Sequence, residues 1–294
     1  MPPVYIEDVI LRHAGVRGMD RLRRYLPVDF CRAAASAILN LRGEVTSPSA
    51  LIVTGFYVNG AAETDGPPGA FFLYQTLKTL GFSAKILTDE IGKPLFEGAL
   101  SPGDLVVTPV KIQDEAAFKR EIFNTYAPHL ICAVERCGRT RDGTYRSMAG
   151  KDISPFTAPL DALFLRPGDR CLTVGIGDGG NEVGMGLLRD VILRELSIEP
   201  SVVPVRYLIL STVSNWGAYG LIRSLEVLSG KVCFPDPNEV TTWVSRCVER
   251  GAVDGISGCP EPKVDGYPLA WEGDVVEVLK GCHPFPASTG RPVH

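Results

Sequence analysis

The sequence is poor in histidine. Four residues, His13, His129, His283 and His294, are scattered over 294 positions. That leaves little to build a zinc centre or a Ser-His-Asp triad. Eight cysteines (Cys31, Cys132, Cys137, Cys171, Cys233, Cys247, Cys259 and Cys282) include no CxxC pair, and several sit in apolar runs. Reduced, buried thiols in an intracellular protein are therefore expected, rather than a disulfide framework. No unbroken apolar run approaches the roughly 18 residues of a membrane span. There is no excess of positive charge either: the net charge is −4, which gives no support for nucleic-acid binding. The first residues lack the apolar core of a secretory signal. Arg12, Arg17, Arg21, Arg23 and Arg24 fit a mitochondrial presequence, whereas Glu7, Asp8 and Asp20 do not. The cytoplasm and the mitochondrial matrix both remain open. Internal repeats and low-complexity tracts are missing too, and a chain that is 45% hydrophobic and 22% charged is globular.

What is present is an α/β alternation. Residues 4–42 have helical spacing, interrupted at Pro27, and residues 43–48 form a linker. The β-branched run Leu51–Phe56 predicts a buried strand. Further strands are predicted at Ala84–Leu87, Leu105–Val107, Leu130–Val134, Cys171–Val174 and Tyr207–Leu210. Helices are predicted at Ala70–Leu80, Glu115–Tyr126, Leu187–Leu196, Gly217–Leu228 and Glu239–Arg250. Residues 135–168 form a long polar stretch, and the tail from Gly251 is rich in Gly, Pro and Cys. Strands alternating with helices imply a mainly parallel open sheet with helices on both faces. The expected organisation is an N-terminal helical cap over residues 1–48 and an α/β catalytic domain over 49–294, forming one compact unit.

The chain is organised around Gly175-Ile176-Gly177-Asp178-Gly179-Gly180-Asn181-Glu182. Its glycine spacing matches a dinucleotide fingerprint, GxGxxG. Asp178 and Glu182 would repel a pyrophosphate, however, so a cation is expected here and no nucleotide. Strand-end loops of a parallel sheet converge on one edge. This places Glu63, Asp65, Glu135, Asp178 and Glu182 together, with Asp254 in the later Val253-Asp254-Gly255 turn and an echo at Val264-Asp265-Gly266. Singly, each acid has a bland reading as helix cap or turn residue. Together they repel one another unless protonated, paired with arginine, or bound to a hard divalent cation. Oxygen donors alone suit Mg²⁺, Mn²⁺ or Ca²⁺ rather than zinc.

Seven collinear stretches carry a resemblance: VTGF at 53–56, ETDGPPGA at 63–70, ERCGRTRDGTY at 135–145, GKDIS at 150–154, GIGDGGNEVGMG at 175–186, SNWGAYGL at 214–221 and GAVDG at 251–255. In these the chain resembles the D-glutamate cyclase-like family, known from vertebrate mitochondrial and stand-alone microbial members. The resemblance implies a carbon–oxygen lyase that converts D-glutamate to 5-oxo-D-proline and water. On that expectation Glu63, Asp65, Asp178 and Glu182 hold a divalent metal, Mg²⁺ or Mn²⁺. Glu135 or Asp254 is the general base, and Arg136 or Arg139 grips the α-carboxylate. Asn181, Ser214 and Asn215 are further substrate-binding candidates. The expected partner is a small-molecule substrate, with no nucleic acid and no membrane, and a homo-oligomer is left open. The same acids also suit a metal-dependent enzyme acting on a phosphorylated or sugar-like substrate. A non-catalytic metabolite-binding module is the third class.

Overall fold

In a computed structural model, which describes residues 3–168 and 171–286, the helical start of the chain is broken into pieces. Helices α1 (Ile6–Ile10), α2 (Met19–Arg23) and α3 (Phe30–Glu44) replace the longer predicted run. The breaks fall where the backbone turns left-handed, at His13 (φ 64°) and Gly18 (φ 75°). His294 lies outside the described residues.

The alternation that follows runs β1 (Ser49–Thr54), a ribbon of β2 (Tyr57–Val58) and β3 (Ala61–Ala62), α4 (Pro67–Thr79), β4 (Ser83–Asp89) and α5 (Lys93–Phe96). It continues through β5 (Leu105–Thr108), α6 (Glu115–Tyr126), β6 (Leu130–Val134), β7 (Leu172–Gly177), α7 (Arg189–Glu195), β8 (Tyr207–Leu210), α8 (Ser214–Ser229) and α9 (Pro237–Glu249). The tail adds a second ribbon, β9 (Lys263–Val264) and β10 (Tyr267–Pro268), and helix α10 (Leu269–Lys280), none of which its composition announced.

The main sheet has six strands in the order β5-β4-β1-β6-β7-β8, and every pairing is parallel. Every residue of β6 and nearly every residue of β1 is buried. An unbroken buried run of this kind requires cover on both faces of the sheet, and the helices supply it. The order reverses between β1 and β6. That is the doubly wound switch point, where the loops leaving the carboxyl ends of two adjacent strands part in opposite directions and open a crevice. α4 packs on β1 and β4, and α3 packs on β8, with both helices against α8. One apolar core, running from Ile6 to Cys282, takes in the N-terminal helices, the sheet and α10.

Several element boundaries differ from expectation, two of them near the glycine turn and the start of α8. α8 begins at Ser214 rather than Gly217, because acceptors from distant loops satisfy its first N–H groups. The helix expected at Leu187–Leu196 is a 3₁₀ turn at Gly186–Leu188 leading into α7. Residues 135–168 carry only two short 3₁₀ turns, yet Leu160–Phe164 is buried throughout.

Candidate active site

The pairing register aligns the strand ends. Thr54 pairs with Val134, Val134 with Ile176, and Gly177 with Leu210. Glu135 and Asp178, the first residues past β6 and β7, therefore emerge side by side. β1 delivers its acids later, after the β2–β3 ribbon, at Glu63 and Asp65. Carboxylate oxygens of Asp65, Glu135 and Asp178 lie within 4.8 Å of one another, and all three residues are buried.

The N-terminus of α8 holds this trio. The Ser214 N–H donates to Asp65 Oδ2 (2.8 Å) and Asp178 Oδ2 (3.1 Å), and the Asn215 N–H donates to Asp65 Oδ1 (2.7 Å). The Ser214 hydroxyl donates to Glu135 Oε2 at 2.6 Å. In return, Asn215 Oδ1 accepts from the N–H groups of Gly66 and Gly69 at the start of α4. Pro67 and Pro68 contribute no N–H to that first turn, so these two bonds complete it. Gly66 sits at φ 96°, and a Cβ there would lie 2.6 Å from the Cβ of Glu135. Only glycine allows the loop to pass so close to the trio.

The glycine turn is closed by its own acid. Glu182 Oε1 accepts from the N–H groups of Asp178 (3.1 Å) and Gly179 (2.6 Å), and Oε2 accepts from Gly180 (2.7 Å). Successive N–H groups of this kind form an anion nest. Here the anion is the Glu182 side chain, which sits where a phosphate would in a nucleotide site. The geometry gives Glu182 the task of shaping the turn that aims Asp178.

Two further groups complete the chamber: Arg17, which the sequence did not mark as a site residue, and Asp265, which it marked only as an echo of the Asp254 turn. Arg17 reaches in from the N-terminal segment, with Nη1 donating to Asp178 Oδ1 and Nη2 pairing with Asp265 Oδ1, each at 2.7 Å. Asp254, the acid singled out in the tail, accepts instead from the N–H groups of Ser257 (2.8 Å) and Gly266 (2.7 Å). It folds the loop that presents Asp265. The repeated Val-Asp-Gly tripeptide was the available signal, and the two copies do different work.

The arginines beside Glu135 are also committed elsewhere. Arg136 is fully buried and donates to Gly55 O, Ala158 O and Asp89 Oδ2. Arg139 donates to both oxygens of Asp161 and to Glu115. Asn181 Nδ2 donates to Arg146 O. Asn181 also lines a cleft of about 200 Å³ with Met148, Gly150 and Glu199, on the outer side of the glycine turn.

Burial comes first in the electrostatics of the chamber. It raises the carboxyls of Glu63, Asp65, Glu135 and Asp178 well above their ordinary range. Neighbouring charge adds to this. Asp265 raises Glu63 and Asp65, and Glu182 and Glu63 raise Glu135. Arg17 opposes the rise at Asp178. Arg17 itself loses hydration, but Asp178 and Asp265 outweigh that loss and hold it firmly protonated. One guanidinium does not neutralise so many carboxylates. Glu63 Oε1 and Asp265 Oδ2 are buried and find no donor among the described residues. Oxygen-only ligands in a tight, buried carboxylate trio fit a hard divalent cation such as Mg²⁺ or Mn²⁺.

This geometry sits in a chain that matches the family described as D-glutamate cyclase-like, C-terminal, over residues 6–280. The chain belongs to the D-glutamate cyclase-like family. It is also similar to the protein named D-glutamate cyclase, mitochondrial, of Homo sapiens, with 32% identity over 205 residues. That match covers 61% of this chain and 33% of the human protein, so only about a third of the relative's length is represented. A cyclase-like function is supported at family level. No helix among the described residues is long and apolar enough to cross a membrane.

Proposed function

We propose that this protein is a D-glutamate cyclase-like lyase that converts D-glutamate to 5-oxo-D-proline and water in the acidic chamber at the switch point. The buried trio Asp65, Glu135 and Asp178 carries the reading. These three residues would hold a divalent cation, Mg²⁺ or Mn²⁺. When bound, the ion supplies positive charge against the substrate's carboxylates, which the chamber would otherwise repel.

The chain's own residues account for the rest. The substrate's nitrogen must lose a proton before it attacks its own γ-carboxyl. The ring closure then expels one carboxylate oxygen with two protons from nitrogen, as water. Among the trio only Glu135 keeps an oxygen that accepts no hydrogen bond among the described residues, and we assign the role of proton acceptor to it. Its Oε2 is fixed by the Ser214 hydroxyl at 2.6 Å, which sets the direction from which the other oxygen takes a proton. We assign the substrate carboxylate to Arg17, whose guanidinium borders the trio at Asp178, since Arg136 and Arg139 are engaged away from the trio. Because Arg17 belongs to the N-terminal segment, that segment and the α/β part act as one catalytic unit. Excluding water and folding the substrate toward closure contribute much of the rate in an intramolecular reaction of this kind.

The test is an assay of metal-stripped and Mn²⁺- or Mg²⁺-reloaded protein on D- and L-glutamate, with 5-oxoproline read by chromatography. Metal-dependent turnover of the D-isomer alone is expected. Metal binding with no turnover would discard the substrate, and turnover indifferent to chelation would discard the metal.

A further inference from the structure

Beside the trio lies a second pair of acids with a different character. Asp65 has both oxygens committed to N–H groups, and each of the other trio members has at least one committed oxygen. In the second pair, Glu63 Oε1 and Asp265 Oδ2 find no donor among the described residues. Both side chains are at least nine-tenths buried: Glu63 is 6% exposed, and the Asp265 side chain is 5% exposed. The two carboxylates converge over Gly255. A Cβ at that position would lie 2.5 Å from Glu63 Oε2 and 3.0 Å from Asp265 Oδ1, so any larger residue would push the pair apart. The loop geometry keeps this arrangement. Glu63 is bridged to Val253, and Asp254 ties Gly266, the neighbour of Asp265, back into the same turn.

Two buried carboxylates that converge at Gly255, each with one oxygen left unsatisfied, need a donor of positive charge. A second divalent ion is poorly suited. Arg17 Nη2 already lies 2.7 Å from Asp265 Oδ1, and it would repel a dication twice as strongly as a monocation. The pair offers few free oxygens for a divalent ion's full shell, but enough for two of the three donors of an ammonium group.

We infer that Glu63 and Asp265 form an ammonium-binding subsite, which receives the amino group of an α-amino-acid substrate and distinguishes it from the corresponding dicarboxylate without nitrogen. This deepens the reading above and rests on it for the nature of the substrate. A primary ammonium would be held by Glu63 Oε1 and Asp265 Oδ2, the two oxygens left without a donor.

The test uses the full Mn²⁺-loaded chain and two probes of the same length, D-glutamate and glutarate, with binding read by calorimetry. Ions are counted by electron paramagnetic resonance, and far-UV circular dichroism checks that each variant is folded. Wild type is expected to bind D-glutamate at least about tenfold more tightly than glutarate, the equivalent of one charge-assisted hydrogen bond. Glu63→Gln and Asp265→Asn are near-isosteric. Each should erase that preference while leaving one Mn²⁺ per chain. Equal binding of the two probes by wild type, or no binding of either, overturns the subsite. So does a variant that keeps the preference, or one that loses a manganese ion. If the amine preference is present but 5-oxoproline does not form, the reaction assignment fails and the subsite stands. If 5-oxoproline forms while both variants keep the preference, the subsite fails and the reaction stands.

Discussion

Asp65 and Asn215, 150 positions apart, cap each other's helices. Asp65 Oδ1 takes the Asn215 N–H of α8, and Asn215 Oδ1 takes the Gly66 and Gly69 N–H groups of α4. The two helices start side by side, so a Cβ at Gly69 would lie 2.7 Å from that of Ala218. Both positive helix ends therefore point into the acidic chamber, and their dipoles lower the cost of gathering carboxylates there. The segments ETDGPPG and SNWGAYG form one structural unit, and Asp65 of the trio is part of its framework.

Asn215→Ala breaks this unit at a known place. The buried Gly69 N–H would lose its only described acceptor, the Gly66 N–H would keep only Asp65 Oδ1, and the bond from Asn215 Nδ2 to Thr64 O would go too. The expected loss is about 2–4 kcal/mol, from buried donors left without a partner. Urea denaturation measures it. A loss below about 1 kcal/mol would show that water replaces the amide at no cost.

Glu182 gives a second prediction, separate from stability alone. Glu182→Ala removes the internal anion and leaves three converging N–H groups. The variant should be less stable by about 3 kcal/mol, and sulfate should restore part of that, since an anion nest without its anion binds one from solution. The melting temperature of the variant should rise with sulfate more steeply than that of wild type. Equal slopes would mean that the N–H groups had found other acceptors.

The sheet was legible in the sequence because β-branched runs between helical segments leave few alternatives. The strand ends then fix which acids meet. Glu135 and Asp178 lie just beyond carboxyl ends of parallel strands, and Glu63 and Asp65 lie in the connection that leaves β1. Their neighbours were harder to assign. Arg136 follows Glu135 directly, but the backbone turns left-handed at Glu135 (φ 44°), which parts the two side chains. It therefore runs under the sheet edge to Asp89 and the Gly55 carbonyl. Arg17 and Asp265 come from segments outside the alternation, and only tertiary packing decides where such segments lie. Asp254 and Asp265 share the tripeptide Val-Asp-Gly, so no local rule separates the one that folds the turn from the one that faces Arg17.

Glu272 carries a pH prediction. It is buried, with Trp216 Nε1 donating at 2.5 Å and the Tyr219 hydroxyl at 3.2 Å, and burial pushes its carboxyl up from 4.5 to about 7. A carboxyl raised in the folded state binds its proton more tightly there than in the unfolded chain. Its contribution to stability is thus complete below pH 4.5 and is lost as pH rises through about 7. Glu272→Gln stays neutral and keeps an acceptor for Trp216. Relative to wild type, the variant should gain about 2–3 kcal/mol between about pH 5 and pH 8. Parallel urea midpoints for the two proteins across that range would show that the carboxyl is ionised throughout.

Arg17 supplies the sharpest separation between a structural counter-ion and a bound cation, because removing it has opposite effects on the two. Its guanidinium sits 2.7 Å from Asp178 Oδ1 and 2.7 Å from Asp265 Oδ1. In the metal-free protein it is the positive charge nearest the trio, so Arg17→Met should destabilise that state. The same charge repels any cation held by Asp65, Glu135 and Asp178. At a separation of about 5 Å and an effective dielectric of about 20, two units of charge against one amount to several kcal/mol before solvent and relaxation reduce them. Arg17→Met should therefore bind Mn²⁺ about 10- to 100-fold more tightly while melting lower in chelator, with the deficit closing as Mn²⁺ is added. Calorimetric titration and thermal melts on the same preparations measure both. Weaker Mn²⁺ binding in Arg17→Met would mean that the arginine organises the ligands rather than opposing the ion, and the charge argument for the trio would have to be abandoned.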